Sequence, residues 1–112
     1  MNYTGVIVEE SLKDPKILRG FDITKTEVSE DGAWHMHTVL TTKEQLEQLS
    51  QELNSGTWYA HFWDENEIIV VFQYKIFVFQ KNNSAGRREA IVYGMLSGIP
   101  EEQLDFPTET SI

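Results

Sequence analysis

Between Trp58 and Gln80 lie three strand-like segments that are apolar on both of their faces. They are Trp58-Tyr-Ala-His-Phe-Trp63, Ile68-Ile-Val-Val-Phe72 and Lys75-Ile-Phe-Val-Phe-Gln80. Side chains alternate across a strand, yet the odd-numbered set (Tyr59, His61, Trp63, Ile69, Val71, Phe77, Phe79) is as apolar as the even-numbered set (Trp58, Phe62, Ile68, Val70, Phe72, Ile76, Val78). An antiparallel sheet commonly leaves one face wet. Here neither face tolerates water, so a helix of the same chain or a second subunit has to cover the second one. A homodimer or another protein partner is one of the two expectations.

The remaining elements follow from local signals. Tyr3–Val8 reads as a short β-branched strand, and Glu9–Leu18 as a short helix broken near Pro15. Phe21–Thr26 alternates with period two and Trp34–Leu40 returns from a turn at Glu30-Asp31-Gly32. Thr41 or Thr42, with Glu44 or Gln45 three residues on, marks a capping box. The helix behind it carries Leu46, Leu49 and Leu53 on one stripe and stops at Asn54-Ser55-Gly56. Asp64-Glu65-Asn66 and Gln73-Tyr74 join the three apolar strands. Ser84 is placed to cap a last helix over 85–97, which Gly98 and Pro100 stop. Pro100 in turn presets one more turn through Glu101, Glu102 and Gln103, whose fold-back would bury Leu104 and Phe106. Strand, helix, two strands, helix and strand give a ferredoxin-like β-α-β-β-α-β order with an appended β-hairpin and C-terminal helix, an α+β fold. The domain is expected over 1–106, with 107–112 as a flexible acidic tail.

Charge and composition narrow the function. Nine Lys and Arg against eighteen Asp and Glu give a net charge of −9. That balance disfavours nucleic-acid binding through a basic patch and attraction to anionic membranes. The longest apolar run, Ile68 to Phe72, has five residues, far short of a bilayer span. With no cysteine there is no disulfide, thiolate metal site or cysteine nucleophile. No basic-then-apolar leader opens the chain, and a cytoplasmic location is expected.

Several stretches carry a resemblance. Gly5-Val-Ile-Val-Glu-Glu-Ser-Leu-Lys-Asp14, His37-Thr-Val39, Trp58-Tyr-Ala60, Ile76-Phe77, Tyr93-Gly94 and Gly98-Ile-Pro-Glu-Glu-Gln-Leu-Asp-Phe106 resemble a family of small uncharacterised bacterial proteins of about this length. Its most specific piece is the ending, Gly-Ile-Pro-Glu-x-Gln-Leu-Asp-Phe. The resemblance implies a bacterial, cytoplasmic, single-domain protein; the family has no known activity, so it transfers neither catalytic residues nor a cofactor.

Read residue by residue, the chemistry is sparse. His35 and His37 leave the same strand face, and His61 with Asp64 lies on another strand, a workable but weakly spaced metal set. In the ferredoxin-like order the first strand would separate the two groups, so no metal and no cofactor are expected. No serine sits in a nucleophile elbow. Thr4-Gly5 and Ser84-Ala85-Gly86 lack the glycines and lysine of a phosphate loop. Glu9-Glu10, Glu30-Asp31, Asp64-Glu65 and Glu101-Glu102 fall at element ends, where carboxylates are solvated or cap amides. No catalytic residue emerges, and the favoured function is a non-enzymatic interaction or regulatory protein. Its contact surface is expected among Trp58, Tyr59, His61, Trp63, Leu104 and Phe106. The alternative is a ligand-binding protein or enzyme with a pocket between the sheet and the last helix, lined by His35, His37, His61 and Tyr93.

Overall fold

The computed structural model describes residues 2–104 and Phe106; the tail expected over 107–112 lies outside the described residues. The β-branched opening forms β1 (Tyr3–Val8), and the alternating segments form β2 (Asp22–Val28) and β3 (His35–Thr41). The doubly apolar segments form β4 (Tyr59–Trp63), β5 (Glu67–Phe72) and β6 (Lys75–Gln80). All six make one antiparallel sheet in the order β2-β3-β1-β4-β5-β6. With the helices α1 (Lys43–Glu52) and α2 (Ser84–Leu96), the fold is α+β.

The capping box starts α1 as the sequence predicts. The Thr42 hydroxyl accepts from the Gln45 amide at 3.4 Å, and the Gln45 side-chain oxygen accepts from the Thr42 amide at 3.3 Å. The cap of α2 is Asn83 rather than Ser84, its side-chain Oδ1 accepting from the Gly86 amide at 3.0 Å. The helix expected over Glu9–Leu18 is replaced by two 3-10 segments, Glu9–Ser11 and Pro15–Gly20. Pro15 has no amide hydrogen for a continuous helix. The Asp14 carboxylate accepts from the Lys16 amide at 3.0 Å and so restarts the chain in a new turn.

Two cores lie on the two sheet faces. On one, Leu46, Leu49 and Leu53 of α1 pack against Ile7, Val39, Phe62, Ile69 and Val71. On the other, Ala90 of α2 with Ile99, Leu104 and Phe106 packs against Ile68, Val70, Phe72 and Phe79. The second face of β4–β6 is therefore covered by the chain's own last helix and ending. The dimer expected on the ground of that face loses that ground.

Two close approaches hold these layers together. A β-carbon on Gly5 would lie 2.2 Å from Cδ2 of Phe62 and 2.5 Å from the His61 carbonyl. A β-carbon on Gly94 would lie 2.6 Å from a methyl of Leu104. The ending docks on α2 because Gly94 leaves a notch there for Leu104. Beyond it, the 3-10 turn Glu101–Gln103 sends Phe106 back onto β4.

Candidate functional site

The polar side chains gather most densely where β1 ends. The β1–β3 register sets Ile7 opposite His37 and Val8 opposite Met36, so Glu9 and Glu10 emerge beside the start of β3. Glu10 uses both oxygens on His35: Oε1 accepts from its backbone amide and Oε2 lies on Nδ1, each at 2.8 Å. Oε1 of Glu9 lies 2.9 Å from Nε2 of His37, and the other ring nitrogen of His37 lies 2.9 Å from the Thr26 hydroxyl of β2. The Glu9–Ser11 turn is held in place by the Ser11 hydroxyl donating to the Val8 carbonyl at 2.6 Å and the Asn54 amide donating to the Ser11 carbonyl at 2.8 Å. Trp34, the neighbour of His35 in sequence, meets Trp58 edge to face at 5.4 Å.

Electrostatics follow from these contacts. The backbone amide of His35, with its ring, holds the Glu10 carboxyl below its ordinary value of 4.5. The Glu10 carboxylate in turn raises His35 above its ordinary 6.5. The imidazolium's stabilising share is complete below about pH 6.5 and fades as pH rises through the raised folded value. The carboxylate's share is complete above about pH 4.5 and fades as pH falls through the lowered folded value. The link is thus fullest between those two limits. A histidine NMR titration should place the His35 midpoint above 6.5 and return it toward 6.5 in Glu10→Gln; a parent midpoint at or below 6.5 refutes the pairing.

The histidines and Tyr93 do not share a cavity. His37 lies opposite Ile7, on the α1 face. His61 alternates with Phe62 and stacks on Trp63 at 5.3 Å and against Phe106 at 5.9 Å, on the α2 face. β1 lies between the strands that carry them. Tyr93 packs on Phe72 at 4.9 Å and Phe77 at 5.4 Å. The pocket expected between sheet and last helix therefore lacks His35 and His37, since alternation sends them to the opposite face. Of the expected contact residues, Tyr59, Trp63, Leu104 and Phe106 contribute to the second core, Leu104 and Phe106 fully buried. Trp58 is half-buried against Trp34. Glu9 and Glu10, expected as solvated or amide-capping carboxylates, instead bind the His35 and His37 rings. Their signal was the pairing of β1 with β3, which brings positions 25 to 28 apart into contact.

A second feature lies at the sheet's end. Phe77 of β6 and Ala85, Val92, Tyr93 and Leu96 of α2 line an open groove of about 620 Å³, with Lys75, Arg88 and Glu89 completing its wall. Leu96 is 83% exposed. Among the described residues, no helix is long and apolar enough to cross a membrane.

No family model, curated protein or solved structure matches this chain.

Proposed function

We propose that this protein is a non-enzymatic interaction domain that works through protein contacts, and that its docking surface is the β6 edge with the neighbouring α2 groove, occupied by a second copy of the chain. The observation that carries this reading is the contrast between the two sheet edges. A free edge exposes unpaired backbone groups and is normally blunted by charge, bulges or cover. β2 is blunted: Lys25 and Glu27 stand on it, and its register slips between Ile23 and Lys25. β6 reads Lys-Ile-Phe-Val-Phe-Gln, with no carboxylate and no register slip against β5. Val78 stands 47% exposed on its α1 side, and Phe77 opens into the groove beneath Leu96 on its other side.

A second β6 suits this edge in length and pattern. Antiparallel pairing about Phe77 sets Ile76 opposite Val78 and Lys75 opposite Phe79, so no like charges oppose. The two-fold axis stands across the sheet, so each face meets its own kind and the two α2 helices approach through Val92 and Leu96. The pairing is strand addition in its self-complementary form.

Within this reading the first four strands form a ferredoxin-like unit. The order β2-β3-β1-β4 supports that assignment, while the 3-10 segments in place of a first helix depart from it. β5 and β6 then move the docking edge outward from β4. A cytoplasmic, bacterial setting accords with the absent cysteines and the family resemblance.

Sedimentation at micromolar concentration should give twice the 13.0 kDa chain mass, about 26 kDa. Leu96→Glu and Val78→Lys, both at exposed positions, should return the chain to 13.0 kDa without loss of helix signal. A parent that stays at the single-chain mass up to millimolar concentration overturns the dimer.

A further inference from the structure

We propose that Glu9, Glu10 and His35 form a binding site for one divalent first-row transition metal, with His37 as a supporting contact and zinc as the probe. One donor atom each from Glu9, Glu10 and His35 lie within 4.8 Å of one another. His37 stands outside that group and touches it through one member, Nε2 lying 2.9 Å from Oε1 of Glu9. One imidazole with two carboxylates makes an N/O set of three that leaves a fourth position open and is suited to zinc, nickel or copper; calcium and magnesium favour all-oxygen sites.

The scaffold is already arranged for such an ion. Both histidines project from one face of β3, and both glutamates come from a turn pinned by Ser11 and Asn54. The Thr26 hydroxyl on Nδ1 of His37 leaves Nε2 directed at Oε1 of Glu9, a supporting contact that orients a ligand carboxylate. Glu10 and His35, now 2.8 Å apart, would need to open by about half an ångström, and any pair near the group's 4.8 Å limit would need to close, since bonds of about 2.0–2.1 Å to zinc set tetrahedral ligands about 3.3 Å apart. Glu9 and Glu10 are only partly buried, so side-chain rotation supplies that movement. Two carboxylates neutralise the dication, and the His35 imidazole releases any proton it holds.

The test uses the full chain, stripped with chelator and titrated with zinc by calorimetry and histidine NMR. One zinc per chain is expected, with His35 and His37 ring signals shifting and His61, on the opposite face, unmoved. Tm should rise with free zinc. Thr26→Val should weaken binding about tenfold, and Glu9→Gln with Glu10→Gln by more than the roughly 10–100-fold typical of losing a supporting contact. His35→Gln gives an independent ligand loss should the double variant not fold as the parent does. The site is refuted if no saturable binding occurs up to millimolar zinc, if folded Glu9/Glu10 or His35 variants bind as the parent does, or if zinc shifts His61 instead. In the first case the four residues are ion pairs and nothing more.

Discussion

Alanine at both Leu104 and Phe106 is expected to lower unfolding free energy by about 4–8 kcal/mol, which places the chain at the verge of unfolding at room temperature. Leu104 and Phe106 are 3% and 2% exposed, as buried as the strand residues they touch. Leu104 fills the notch above Gly94. Phe106 sets its ring at 5.8 Å from Tyr59, 5.9 Å from His61 and 6.3 Å from Phe79, with the Arg87 guanidinium 5.8 Å from its centre. Removing a buried Leu costs about 2–5 kcal/mol and a Phe about 3–5. The pair closes one core and shares neighbours, so the sum is an upper guide. Without it the α2 face of β4 is opened to water as well as left with a cavity. Urea denaturation of parent and double variant measures the loss. If the two melt alike, the ending is a docking peptide rather than part of the core.

The second large effect is expected at Gly5. Gly5→Ala should cost 3 kcal/mol or more, at or above the upper end of the roughly 1–3 kcal/mol usual for overpacking. The added carbon meets two kinds of atom at once. The Phe62 ring at 2.2 Å belongs to a fully buried side chain, and the His61 carbonyl at 2.5 Å is backbone of the paired strand. Neither yields without separating β1 from β4, whose ladder joins the two halves of the sheet. A control at Gly20, where a β-carbon meets nothing within 4 Å, should leave stability nearly unchanged. Equal melting of Gly5→Ala and parent would mean that the strands separate at little cost.

Where structure depends on neighbours in sequence, the chain announces it. The Thr42–Gln45 box and the turn through Pro100 rest on contacts three residues apart, and the residue types alone dictate them. Burial of Leu104 and Phe106 is legible for the same reason, because the preset turn leaves their side chains facing back. The broken stretch after β1 is legible only in its interruption at Pro15; the sequence does not say that 3-10 turns replace the helix.

Contacts across tens of residues are different in kind. Strand alternation fixes that His35 and His37 share a face, but only sheet order and register put His61 on the other face and Glu9 and Glu10 beside the pair. The double-sided hydrophobicity of β4 to β6 by itself required a cover on both faces. It could not choose between α2 and a second subunit, because either buries the same apolar area and the hydrophobic effect has no direction. Likewise, β6 carries the same six residues whether it lies at the centre of a sheet or at its margin. Its place at the edge was decided by the tertiary arrangement, since a strand's free backbone groups are defined by which neighbour is missing.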